Sequence, residues 1–317
     1  MANYDPTITV VIPTFKRSES LRRCLSSISQ QRLPADKILV VVQDRDYETL
    51  NLVENLGVKF EKIDKPGIIF AIQSSLTLIT TDLVAFIDDD VTLPSDWVAK
   101  AKNAFSGKPK IGALGGTDIQ RNFELKDKIK VGKISAYGKL IGNHHLASGH
   151  KRSVDFLKGC NMVMRTSIAK NYSPVFNLLR GQGAQVGNDL VFSLSSRING
   201  YETIFDPEFY VYHHVEPRKE SSQRNELNEI ERSDLVYNIL LIKLTFARNF
   251  MRAIVLLFQV FIGDREVPGL MKSLLLRGNR INQTIRDMNY LMEAIPKVWK
   301  LSSTFREPLR TISKEKF

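Results

Sequence analysis

Leu83-Val84-Ala85-Phe86-Ile87-Asp88-Asp89-Asp90, residues 83–90, is the stretch on which the reading of this chain turns. Five apolar residues without a polar interruption read as a strand covered on both faces. Three carboxylates follow directly. Adjacent like charges repel, so such a cluster costs stability unless solvent or a cation relieves it. Hard oxygen ligands at a strand end suit Mg²⁺ or Mn²⁺, which usually completes its shell with substrate phosphates and water. The bland alternative is a solvated acidic turn.

Working outward, Ile8 to Ile12 and Ile38 to Val42 are two further apolar runs of the same kind. Between them, Ser18 to Gln31 carries Leu21, Leu25 and Ile28 at helical spacing, with Ser18 placed to cap and Pro34 just beyond the end. Residues 47–56 and 68–80 supply two more helical patterns. Strand alternating with helix implies parallel strands joined by right-handed crossovers, and ligands gather at the carboxyl ends of such strands. Those ends are Pro13-Thr14-Phe15-Lys16-Arg17, Gln43-Asp44 and Asp88-Asp89-Asp90.

Beyond Pro94 the pattern becomes mixed. Gly115-Gly116 and Gly181 to Gly187 read as glycine-rich turns, the second as a lid ahead of Asp189. A helix is predicted near 189–199 and a strand near 202–212. From Glu216 the chain reads as almost all helix, which predicts a catalytic domain over 1–215 and a basic helical region over 216–317. Residues 235–262 read as one long apolar helix whose Arg248, Arg252 and Gln259 fall in one polar sector.

Composition excludes several classes. With 317 residues, 43% hydrophobic and 25% charged, the chain is neither disordered nor of low complexity. Two cysteines, Cys24 and Cys160, are too few for a disulfide scaffold or a four-thiolate zinc site, and read as packing residues in a reducing compartment. The chain enters Ile8 to Ile12 without a basic leader and apolar stretch, so secretion is not expected. No apolar run approaches the ~18 residues needed to span a bilayer. A cytoplasmic location is expected. The net charge of +11 is unevenly placed, because residues 235–317 hold 14 basic and 6 acidic residues. That excess suits a polyanion, such as an anionic membrane surface. Nucleic acid fits less well, since aromatic residues are not interleaved with the basic ones.

Four segments, in this order, resemble the family 2 glycosyltransferases of the GT-A fold. They are Thr9 to Arg17, Asp44 after the second apolar run, Asp88-Asp89-Asp90 with Pro94 and Trp97, and Phe156-Leu157-Lys158-Gly159-Cys160-Asn161-Met162. Gly187-Asn188-Asp189 followed by Arg197, Gly200-Tyr201, Asp206-Pro207 and His213 is similar to the second half of that signature. The resemblance implies an α/β, Rossmann-like, mixed but mainly parallel sheet with helices on both faces, plus a C-terminal helical extension. It implies a nucleotide-sugar donor held by Pro13, Thr14, Phe15, Arg17, Asp44, Asp88 and Asp89. A Mn²⁺ or Mg²⁺ ion would sit on Asp88, Asp90 and His213. Asp189 would be the catalytic base of an inverting transfer, and Trp97, Gly159, Cys160, Asn161 and Asn188 would lie on the acceptor side. The acceptor would be a glycan or a lipid-linked saccharide, reached by a protein peripheral on the inner face of the cytoplasmic membrane; a homo-oligomer is compatible with this.

Three positions depart from the pattern: Ile72 stands where the family often has Arg, Asn188 where it has Glu, and Gln43 where it has Asp. The adjacent His213 and His214 would point to opposite faces of a strand, so only one can look into the site. His144-His145 is a competing pair outside the family spacing. A metal-dependent nucleotidyltransferase would share the acidic strand end without needing Asp189, and a basic nucleic-acid-binding protein is the remaining alternative.

Overall fold

All three apolar runs become strands in the structure, a computed structural model that describes residues 5–171, 176–181, 187–215, 227–264, 267, 269–271 and 280–314. The elements of the first unit are β1 (Ile8–Thr14), α1 (Ser18–Ser29), β2 (Lys37–Gln43), α2 (Tyr47–Asn55), β3 (Phe60–Ile63), α3 (Ile68–Leu78), β4 (Leu83–Ile87), β5 (Val91–Thr92), α4 (Trp97–Phe105) and β6 (Ile111–Ile119). It continues with β9 (Arg152–Ser153), β10 (Asn161–Arg165), α5 (Thr166–Asn171), α6 (Asn188–Ile198) and β11 (Glu202–His213). This unit comprises Met1–Gly132, Gly142–Phe176 and Asn188–Ser221. Lys133–Ile141, Asn177–Gly187 and Ser222–Phe317 form a second unit. The predicted lid is outside the described residues at 182–186, as is the chain from 216 to 226 where the predicted domain boundary falls.

The sheet runs β3-β2-β1-β4-β10-β6-β11-β5, with β9 paired to β11. Strands β1 to β4 pair in parallel, and β11 pairs in parallel with β6. Between them lies β10, antiparallel to both β4 and β6, so these two still run the same way, and the short β5 and β9 pair antiparallel with β11. This is the mainly parallel α/β sheet that the sequence predicts. The register Val10↔Ala85 and Val10↔Ile38 brings the ends of β1, β2 and β4 to one edge. Ile8, Val10, Ile12, Val40, Val42, Leu83, Ala85 and Ile87 belong to one core with Leu21, Leu25 and Ile28 of α1.

Two local expectations are corrected here. Gly115-Gly116 is not a turn but lies within β6, where an added Cβ at Gly116 would meet the Phe209 carbonyl oxygen at 1.7 Å and that of Asp206 at 2.5 Å. Glycine is required there by the approach of the β11 backbone, a signal that a turn and a crowded strand share. Ser18 does not cap α1: it is the first helical residue and its hydroxyl donates to Glu48.

In the second unit, β7 (Lys133–Ile134) and β8 (Leu140–Ile141) form a two-stranded ribbon, and α7 (Glu229–Phe246), α8 (Arg252–Phe261) and α9 (Arg280–Lys314) are its helices. Asn228 and Glu231 build a reciprocal capping box at the start of α7. The single helix predicted over 235–262 is broken, because Ala247 and Arg248 are extended and a 3-10 turn at Asn249–Met251 precedes α8. That break rephases α8. Gln259 then meets Lys243 Nζ at 2.6 Å, while Arg252 reaches Ser302 Oγ at 2.5 Å and the Trp299 carbonyl at 2.9 Å. Among the described residues, no helix is long and apolar enough to cross a membrane.

Candidate active site

The loop after β1 is shaped by one strained residue and its anchor. Lys16 has φ 53°, a left-handed conformation that costs a residue with a Cβ roughly 1–2 kcal/mol. Its amide donates to Asp46 Oδ2 at 2.5 Å, and the other oxygen of Asp46 caps α2 through the Thr49 amide. This places Arg17 against the carboxylates after β4. Arg17 Nη1 lies 2.9 Å from Asp89 Oδ1 and 3.0 Å from Asp90 Oδ2, and Thr14 Oγ1 donates to Asp89 Oδ2 at 2.7 Å. Burial pushes the Asp89 carboxyl up to about 7, against the opposing pull of Arg17. Asp44 stands at the adjacent end of β2, its amide bonded to the Ile63 carbonyl of β3.

Asp88, Asp90 and His213 come together, with one ligand atom of each within 4.8 Å of the others. His213 Nε2 is 3.2 Å from Asp90 Oδ1. His214 turns away: its ring accepts from or donates to Thr92 Oγ1 at 3.0 Å, and its amide holds the Asp90 carbonyl. Two carboxylates and an imidazole match the hard-to-borderline donors that Mn²⁺ and Mg²⁺ accept. Asp118, Cys160 and His213 form a second close group. It suits a divalent ion less, since burial pushes the Cys160 thiol up and keeps its proton on. Among the described residues, His144 belongs to neither close group. Burial pulls it down to about 4, and its Nε2 faces the Phe156 carbonyl at 3.1 Å within an aromatic cluster.

Asp118 carries no signal in the sequence, yet it organises the far side of His213. Fully buried on β6, its Oδ2 receives His213 Nδ1 at 3.3 Å and Gln120 Nε2 at 2.6 Å, and it pairs with Lys158. Burial opposes its ionisation, but the bonds from His213 and Lys158 prevail and hold the carboxyl well below the usual range. Burial likewise opposes a charge on His213, while Asp118 and Asp90 push it up to about 12.

The charge of Lys158 also acts on Asp189. Asp189 sits at the start of α6, and an added Cβ at Gly159 would lie 3.6 Å from its Cβ and 3.9 Å from Asn188 Nδ2. Burial pushes the Asp189 carboxyl up, and this is only partly offset by the Leu190 and Gly159 amides and the charge of Lys158. A half-buried carboxylate with raised basicity is suited to accept a proton. The residues predicted for the acceptor side separate. Gly159 and Asn188 lie beside Asp189, whereas Trp97 is 1% exposed, stacks on Phe209 and donates to Asn161 Oδ1 at 3.0 Å. Asn161 in turn donates to the Phe209 carbonyl, and Cys160 is buried. Trp97 and Asn161 thus tie α4 and β10 to β11, and all three side chains are buried.

Comparison with known proteins agrees with this arrangement. The family model described as "Glycosyltransferase like family 2" matches residues 6–230. Glycosyltransferase AglE of Haloferax volcanii is 20% identical over 225 residues, 68% of this chain and 70% of that protein. The glucosyl-dolichyl phosphate glucuronosyltransferase of the same organism is 26% identical over 119 residues, 35% of this chain and 38% of its own length. Among solved structures, residues 1–349 of S. aureus TarS in complex with UDP-GlcNAc superpose with a TM-score of 0.60 at 16% identity, covering 97% of this chain and 90% of that one. The mannosyltransferase PcManGT from Pyrobaculum calidifontis, in complex with GDP-Man and Mn²⁺, gives 0.52 at 17%, covering 93% and 87%. At such identities the likeness is one of fold, the GT-A type.

Proposed function

The chain belongs to glycosyltransferase-like family 2, and on that premise we propose that it moves a sugar from a nucleotide-diphosphate donor to a glycan or lipid-linked saccharide with inversion at the anomeric carbon. The observation that carries this reading is a set of polar contacts that runs from Arg17, Asp89 and Asp90 through His213 and Asp118 to Lys158, whose charge acts on Asp189 beside the Gly159 amide. A charge-stabilising end and a basic end are what a single displacement at an activated sugar needs. Support for the donor class comes from the GDP-Man and UDP-GlcNAc complexes of the structural neighbours, and for a lipid-linked acceptor from the dolichyl-phosphate relative.

In this reading Pro13, Thr14, Phe15, Arg17 and Asp44 border the nucleotide at the ends of β1 and β2, and Asp89 is held in place by Thr14 and Arg17. Asp88, Asp90 and His213 would hold Mn²⁺ or Mg²⁺, which when bound neutralises charge on the departing diphosphate. Asp189 takes the proton of the acceptor hydroxyl on a carboxylate oxygen as the new bond forms, with Asn188 and Gly159 shaping the approach. The Ile72 side chain is buried in α3 and cannot supply the charge of the Arg it replaces. We assign the chemistry to residues 1–215 and an association role at the inner face of the cytoplasmic membrane to the basic region 216–317.

Asp189→Asn tests the assignment. Thermal shifts with nucleoside diphosphates and Mn²⁺ should stay as in the wild type while transfer falls about 10²–10⁴-fold, the usual contribution of a positioned base. An equal loss of nucleotide binding and of rate would remove Asp189 from that role.

A further inference from the structure

Helix α8 has its polarity turned inside out. Arg252 and Gln259, the two strongly polar residues of Arg-Ala-Ile-Val-Leu-Leu-Phe-Gln-Val-Phe, are on the buried side with Val255 and Phe258. Arg252 is held by Ser302, Ser303 and the Trp299 carbonyl, and Gln259 by Lys243 and the Val267 carbonyl. The opposite side presents Ile254, Leu257 and Phe261, joined by Phe250 before the helix and Ile262 after it. Phe250 is 71% exposed and Leu257 56%. At 100° per residue, positions 254, 257 and 261 fall within a sector of about 60°, so the exposed side chains form one stripe. At the far end, the Gly269 amide donates to the Ile262 carbonyl and is followed by the exposed Leu270 and Met271. A soluble helix buries its apolar side; this one spends its hydrogen-bonding groups inward and leaves its greasy side uncovered.

We propose that this stripe inserts into the headgroup–acyl boundary of an anionic lipid bilayer, with α8 lying in the plane of the membrane. The inference deepens the membrane part of the preceding section, and it stands independently of the transfer chemistry. Charge complementarity selects the occupant. Residues 235–317 carry a net +8, and Arg248, two positions before Phe250, is exposed, so the stripe lies in the most basic part of the sequence. Anionic headgroups attract such a surface, whereas a two-fold contact with a second copy would set like charges against each other. Five or so side chains on a ten-residue helix also fall short of the roughly 20–30 residues per partner of a stable dimer. The length of α8 suits an in-plane element and not a span.

The full-length chain is floated with vesicles of phosphatidylcholine containing about 30% phosphatidylglycerol, and with phosphatidylcholine alone, at low and high salt. Wild type is expected to float with the anionic vesicles, less so at high salt. Leu257→Glu and Phe261→Glu, both outward-facing, should keep the wild-type circular dichroism and thermal midpoint yet partition about tenfold less or weaker. Equal flotation of the variants and wild type, or no flotation of wild type at either salt, overturns the proposal. So does a wild-type dimer in sedimentation velocity that Leu257→Glu dissolves without any vesicle binding. The vesicles contain neither donor nor acceptor, so a failed transfer assay leaves this result untouched. Conversely, Leu257→Glu should retain wild-type transfer to a water-soluble acceptor if only the membrane contact is lost.

Discussion

Replacing Asp118 by Asn removes one negative charge and changes almost nothing in shape. In the wild type its Oδ2 faces His213 Nδ1 at 3.3 Å and is also paired with Lys158. Two unit charges 3.3 Å apart attract by about 5 kcal/mol at an effective dielectric of ~20, which bounds what the imidazolium form of His213 could lose. Because Asp118 is fully buried, its loss would leave Lys158 without this partner and the His213 imidazolium with Asp90 alone, and a net loss of stability of about 3–5 kcal/mol is expected. A second effect follows from orientation. A partner on Nδ1 fixes which nitrogen of His213 is presented to Asp90, and removing such outer partners typically costs 10–100-fold in metal affinity. Calorimetric titration of Asp118→Asn with Mn²⁺, alongside urea denaturation, reads both quantities. Gln120→Ala is the control, since Gln120 donates to the same oxygen without carrying charge. A folded Asp118→Asn protein with wild-type Mn²⁺ affinity would refute the reasoning, and an equal loss in Gln120→Ala would assign the effect to packing instead of charge.

Two further expectations concern the base and the sheet. Since burial raises the Asp189 carboxyl and a base must be ionised, the acid limb of kcat/KM should fall at a pH above the ~3.9 of an ordinary aspartate; a limb at or below that value, measured with a nucleotide-sugar donor, contradicts the role. Gly116→Ala should destabilise the chain by about 3 kcal/mol or more in urea denaturation, because the new Cβ meets backbone of β11 at 1.7 Å and no flexible side chain can yield. Wild-type stability in that variant would mean that β6 and β11 are not so closely apposed.

The chain is plain to read wherever local pattern and environment coincide. Strands β1, β2 and β4 are uninterrupted apolar runs because both of their faces are covered, and the residues at their ends are determined by where the runs stop. The acidic triplet, Asp189 at a helix start, and the rule that only one of His213 and His214 can face the site also follow from the sequence and strand alternation. Direction and partnership do not. The wheel placing Arg252 and Gln259 together is correct, but which side of α8 faces the interior depends on the extended Ala247-Arg248 pair and on Ser302 and Lys243, residues 16 to 50 positions away. Trp97 and Asn161 look like site residues in order and spacing, yet their bonds to each other and to Phe209 place them in the core. Asp118 is one aspartate at the end of a glycine-rich strand until β6 pairs with β11, in register Val211↔Asp118, and sets it beside His213. Periodicity reports how a residue relates to its own element, whereas the charge environment of a buried carboxylate is set by groups brought there from distant parts of the chain.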